Sequence, residues 1–178
     1  MLITWRRAAA GALVLLLAAC ATVVPGGSDC VGVIGPAPAG LREVQDETLR
    51  ALALGAPDKG ALCAGKVYVA EKAVTVYRVW DAAKPFTLYG RWWSFTRPQG
   101  PRAQYQRDNA ICPEWSALDK MSACTIKVGS KIVTGPGQSA QCEQFVLPQS
   151  PVNQVFIAND GLSNVLYVES CDEGSVWP

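Results

Sequence analysis

The chain contains no histidine. That absence removes the imidazole on which Ser-His and Cys-His nucleophile pairs depend, and with it zinc sites of the Cys2His2 kind. No two cysteines stand in Cys-x-x-Cys spacing, and a thiolate metal cluster does not suit a protein outside the cytosol, so no metal is expected. Charge of one sign is equally scarce. Sixteen Lys and Arg face fifteen Asp and Glu, which leaves no basic excess to hold nucleic acid and no acidic tail. There is no internal repeat and no low-complexity segment, and the apolar run at residues 8–17 is too short to span a bilayer as a helix.

That run is an address. Arg6 and Arg7 form a short basic region, residues 8–17 an apolar core, and Leu17-Ala18-Ala19-Cys20 closes it, the order of a secretory signal. The residues around the paired arginines do not fit the longer twin-arginine pattern. The final four resemble the lipobox of bacterial lipoproteins, which implies cleavage after residue 19, acylation of Cys20 and a membrane anchor there. Ala21, a non-aspartate, implies the outer membrane of a Gram-negative cell. Removal of residues 1–19 leaves 159 of the 178 residues and, with Arg6 and Arg7 gone, a net charge of −1. A chain of that size suits one domain with its own core.

Cysteine usage agrees with export. Beyond Cys20 there are six, Cys30, Cys63, Cys112, Cys124, Cys142 and Cys171. In an oxidising compartment they make up to three disulfides, with about 15 connectivities open.

Residues 20–40 read as a Gly/Pro/Ser-rich tether and residues 41–178 as a single domain. Leu41, Val44, Thr48, Leu49 and Leu52 recur at three- and four-residue steps before Gly55, which predicts an amphipathic helix over 41–54. A loop follows at 56–65. Strands are expected at 66–70, 73–80 and 86–89, with a turn at 81–85. The Pro/Gly-bearing stretch 96–108 reads as an exposed loop. Pro113, Glu114, Trp115, Leu118 and Met121 predict a helix within 109–124, bracketed by Cys112 and Cys124. A strand with a Gly129 turn or bulge covers 125–134, and the last strands fall at 152–158 and 164–170, joined by a turn at Asn159-Asp160-Gly161. The fold class is α+β, a small antiparallel or mixed β core with a few helices, stabilised by disulfides.

Candidate chemistry gathers in residues 73–95. Alternation on a strand puts Val74, Val76, Arg78 and Trp80 on one face and Thr75, Tyr77 and Val79 on the other. Arg78 therefore stands among apolar neighbours, where a guanidinium is costly unless it meets an anion or a dense set of acceptors; a bland alternative is a side chain snorkelling to solvent. Other motifs fail. Gly135-Pro136-Gly137-Gln138-Ser139-Ala140 fits G-x-G-x-x-A, but Pro136 deletes a backbone donor and no βαβ unit follows. Gly137-Gln138-Ser139-Ala140-Gln141 is a broken G-x-S-x-G without a histidine partner. A turn with a close backbone approach accounts for these glycines without function.

In order, the chain reads Tyr77-Arg78-Val79, then Gly90-Arg91-Trp92-Trp93-Ser94, a proline-rich loop, the expected helix, KVGSKIVTG at 127–135, and NQVFI at 153–157. This order resembles the NAD glycohydrolase toxins of the tuberculosis necrotizing toxin type and, more widely, the ADP-ribosyltransferase-like fold. It covers Val74 to Ile157. It departs in having Ser150-Pro151-Val152-Asn153 where glycines often precede the closing glutamine, and in lacking histidine. The resemblance implies NAD as substrate, no resident cofactor, Arg78 and Gln154 as catalytic residues, and Gly90, Arg91, Trp92, Trp93 and Ser94 with Arg78 as NAD-binding residues. The chemistry makes these types intelligible. An arginine fork suits a diphosphate, an indole suits a flat cationic ring, and a leaving group that departs neutral needs no general acid. A transferase would more usually use a glutamate, for which Glu143 is the nearest candidate.

Two non-enzymatic readings stand beside this one. The first is an envelope lipoprotein that binds a protein or glycan through its Trp/Arg face. The other is an immunity or inhibitor lipoprotein, against which the absence of a strongly charged face counts; a toxin-like domain would in turn have an immunity or target protein as partner.

Overall fold

The computed structural model describes residues 30–178; the expected signal segment, Cys20 and the start of the expected tether lie outside the described residues. The chain folds into mostly antiparallel β-structure with two short α-helices and three disulfides. Strands β1 (Leu41–Val44), β2 (Lys66–Ala70), β6 (Lys131–Gly137), β9 (Ser150–Phe156) and β4 (Trp92–Trp93) form a five-stranded sheet in the order β1-β2-β6-β9-β4. In the second sheet, β5 (Lys120–Ile126) pairs along its whole length with β3 (Val74–Trp80), and its other edge is shared by β10 (Val168–Glu169) and β11 (Ser175–Val176). A small ladder joins β7 (Ala140–Gln141) to β8 (Val146–Leu147).

A backbone bridge links the two larger sheets. Just past β4, Ser94 exchanges both backbone hydrogen bonds with Tyr77 of β3, at 2.8 and 2.9 Å. The alternation expected for β3 holds in its first half. Val74 and Val76 turn inward and, with Cys124 and Ile126 of β5, meet Tyr68, Ile132, Val155 and Trp93 of the other sheet in a shared core. Each such aliphatic side chain contributes about 1.5–3 kcal/mol when fully buried. A second cluster lies where Ala53 meets Val67, Val133 and Phe156, with Leu49 packed against it, and so seats helix α1 (Glu47–Ala53) against the five-stranded sheet.

Several elements differ from expectation. Residues 41–44 are strand β1, with Arg42–Glu71 and Glu43–Lys66 ion pairs across its ladder with β2, and the helix starts only after Asp46, whose carboxylate caps Leu49 N–H at 3.0 Å. The three- and four-residue steps ran together an edge strand and a two-turn helix. Residues 85–89 are not a strand but a 3₁₀ turn opened by Pro85, which lacks the N–H a ladder needs. The presumed loop 96–108 contains helix α2 (Arg102–Asp108). The helix expected within 109–124 reduces to one 3₁₀ turn (Pro113–Trp115), and the chain then becomes β5, with Ser122, Cys124 and Ile126 buried at period two. Positive φ at Ala110 and Leu118, both 49°, breaks any helix there. Over 164–170 only Val168–Glu169 is strand. Gly129, at φ 87°, is a turn, and it carries the chain from one sheet to the other. The glycines of 135–137 lie in β6 rather than in a turn.

The six cysteines among the described residues pair, as Cys30–Cys63, Cys112–Cys142 and Cys124–Cys171. Cys112 and Cys124 therefore do not close a helix between them. The second bridge anchors residues 110–115 to the turn between β7 and β8, and the third ties the centre of β5 to the segment after β10.

Candidate functional site

Arg78 is the centre of the arrangement. Its Nε donates to the Thr87 carbonyl at 2.6 Å and its Nη1 to the Trp92 carbonyl at 2.5 Å, while the guanidinium lies 5.9 Å from the centroid of Trp93. No carboxylate forms an ion pair with it among the described residues. This is the dense set of acceptors that an arginine in an apolar run requires, and it closes the turn 85–90 onto β3. Gly90 makes it fit. A β-carbon there would stand 2.1 Å from Nη2 of Arg78. The Gly90 carbonyl in turn accepts from the Trp93 indole at 2.8 Å and from the Asn159 amide at 3.2 Å. Desolvation pushes the Arg78 pKa down to about 10, opposed by Tyr105, so it is a cation at neutral pH.

Arg78 lines a cavity of about 200 Å³ together with Trp92, Trp93, Tyr105, Asn109, Trp115 and Gln154, closed by small and aliphatic side chains of the 110–118 segment. Gln154 reaches it from the middle of β9. Its amide donates to the Asn109 carbonyl at 3.0 Å, and Asn109 donates to the Tyr105 carbonyl at 2.9 Å, so that the end of α2 is pinned over the sheet. Gly137 leaves the room: a β-carbon there would come 2.8 Å from Nε2 of Gln154. Tyr105 is held edge-on to Trp177, ring centroids 5.0 Å apart. Burial raises its phenol to about 12, the Arg78 charge working against that rise. The cavity thus offers one cation, a phenol, two amides and a serine hydroxyl (Ser116), and no carboxylate among its lining residues.

The residues picked out in the sequence divide accordingly. Arg78, Trp92, Trp93 and Gln154 come together, although 76 positions separate the first from the last. Trp93 is at the same time a core residue, only 2% exposed, and Trp92 packs on Phe156 at 5.2 Å. Neither indole is an open platform. Trp115, 49% exposed, is the more accessible ring on this cavity. Gly90 acts through Arg78; Arg91 lies on a neighbouring groove; Ser94 is the backbone joint between the sheets. Glu143 is exposed, its N–H bonded to the Glu114 carboxylate, and it does not line the cavity. The nearby Cys112 and Cys142 sulfurs are joined to each other and offer a metal no thiolate.

Tyr105 and Asn109 are not singled out in the sequence, and Trp115 enters it only as part of an expected helix. Tyr105 and Asn109 lie one helical turn apart, but that spacing is hidden in a stretch whose two prolines and glycine read as loop.

No protein-family model, curated protein or solved structure matches the chain.

Proposed function

We propose that the cavity is the nicotinamide end of an NAD-binding cleft and that the protein is an exported NAD glycohydrolase, ahead of a transferase, built on an ADP-ribosyltransferase-like fold and anchored through Cys20 to the outer membrane of a Gram-negative bacterium. What supports the reading is the meeting of Arg78, Trp92, Trp93 and Gln154 in one cavity. Two antiparallel sheets around a shared core accord with the fold, and three disulfides with an oxidising compartment.

In the reaction, the ribose–nicotinamide C–N bond breaks with its electron pair going to the ring nitrogen. The cationic ring becomes neutral nicotinamide, and charge passes to an oxocarbenium-like ribose. Water then forms the new C–O bond, and its proton goes to solvent. Arg78 is the cation for the diphosphate. Gln154 has committed an N–H to Asn109, so its carbonyl oxygen is the atom that orients water or a ribose hydroxyl. Trp115 is the accessible surface for the departing ring.

A specific observation favours a second reading. Nε and Nη1 of Arg78 already serve backbone carbonyls, and no carboxylate lines the cavity to activate water. That suits an envelope lipoprotein that holds a ligand or partner at its Trp/Arg face without turning it over. Nicotinamide release from NAD separates the two. The enzyme reading expects release by the oxidised protein and its loss in Gln154→Ala at unchanged thermal midpoint. Saturable NAD binding without release over hours supports the second reading instead.

A further inference from the structure

Arg78 borders a second depression as well. On the side of the 85–89 turn, a groove of about 360 Å³ is lined by Phe86, Tyr89, Arg91, Asn159 and Leu162, with Arg78 again in its wall. Two features set its chemistry. The first is charge: its two guanidinium groups outweigh its one carboxylate, Asp160, which feels the charge of Arg91 and accepts from its own loop, from Leu162 N–H at 3.0 Å, Ser163 N–H at 3.2 Å and the Ser163 hydroxyl at 2.7 Å. The second is apolar surface left open, since Phe86 is 45% and Leu162 77% exposed. Gly161 keeps the two sides close, because a β-carbon there would stand 2.5 Å from the Phe86 carbonyl. Cationic groups beside exposed apolar and aromatic surface suit a phosphate that carries a flat ring.

We infer that this groove seats the adenosine diphosphate half of the dinucleotide, with the phosphates at Arg78 and Arg91 and the adenine against Phe86 and Leu162. This rests on the NAD reading of the neighbouring cavity and extends it. At about 200 Å³ that cavity is smaller than the roughly 300–1,000 Å³ of sites for ligands of drug size. It holds a single ring, and the larger half of the ligand requires a second seat. The groove shares Arg78 with the cavity, and a diphosphate at Arg78 joins the two.

The test titrates ADP and nicotinamide separately into the full chain, purified with its disulfides intact, and follows each ligand by saturation-transfer NMR. Phe86 and Leu162 are exposed, so Phe86→Ala and Leu162→Asp leave the core alone. Each is expected to weaken ADP about tenfold, the value of one lost base-stacking contact, while nicotinamide affinity changes far less. ADP binding that ignores both substitutions, or nicotinamide affinity that falls in step with it, overturns the inference. The two proposals fail separately. Nicotinamide release from NAD by a protein that does not bind ADP removes the groove assignment and keeps the enzyme; ADP binding lost in both variants, without any release, keeps the groove and removes the enzyme.

Discussion

Gly90 has an ordinary backbone, φ −75° and ψ −174°, so alanine there meets no conformational penalty. Its whole cost comes from the guanidinium 2.1 Å from the new β-carbon. Gly90→Ala should therefore destabilise the protein by about 2–3 kcal/mol in denaturant unfolding, the range for overpacking. In an Arg78→Ala background that cost should largely vanish, and the double-mutant cycle reads the coupling directly. Additive effects would show that Gly90 does not serve Arg78. Tyr105 gives a second prediction at this scale. Its folded pKa, about 12, exceeds that of an unfolded tyrosine, near 10. Its contribution to stability is complete below pH 10 and is lost as pH climbs towards 12, because the unfolded chain releases the proton first. An absorbance titration should show one tyrosine ionising about two pH units late, and Tyr105→Phe should remove that step and flatten the alkaline loss of stability. Of these residues, Arg78 was legible in the sequence because a guanidinium inside Val-Tyr-Arg-Val-Trp demands a partner. What that partner is was not legible, since both acceptors are backbone carbonyls that carry no sequence signature.

Among the elements, β2 and β3 were readable because long runs of Val, Tyr and Trp fit a pleated surface. Gln154 was correctly placed on a strand beside the apolar residues of β9. The region 102–124 was misread in its main elements. There the Cys112–Cys142 bridge and the contacts of α2 override local propensity, and period-two burial in β5 was masked by Leu118 and Met121 standing at a helical step. This region forms one wall of the cavity, so the sequence concealed Tyr105, Asn109 and Trp115 together. The bridge that shapes the wall closes a separation of 30 residues. Its replacement by Cys112→Ala with Cys142→Ala should cost about 3–4 kcal/mol in the chain-entropy account. Hydrogen exchange should quicken at residues 109–118 more than in β3 or β9. Uniform acceleration across the sheets would mean that the bridge holds the whole fold rather than the wall.

At the scale of the whole molecule, two sheets share one core and are joined through the Tyr77–Ser94 bridge, beside which Arg78 and the cavity lie. The α+β class and the count of disulfides followed from composition and cysteine number. The order of strands did not, because no local signal records that β2 pairs with β6 or that β3 leaves β2 for the other sheet. Three bridges at about 4 kcal/mol each exceed much of the roughly 5–15 kcal/mol net stability of a domain. Reduction is therefore expected to abolish the cooperative thermal transition, and a reduced protein melting within a few degrees of the oxidised one would refute this. The central claim is that the Arg78–Gln154 cavity is an NAD site. The most direct measurement is an NMR titration of the oxidised protein with NAD, reading the indole N–H signals of Trp92, Trp93 and Trp115 and the side-chain amide of Gln154. Saturable shifts concentrated on these groups, and lost from the remaining signals in Gln154→Ala, are the predicted result; no shift at millimolar NAD, or shifts confined to a distant surface, would contradict it.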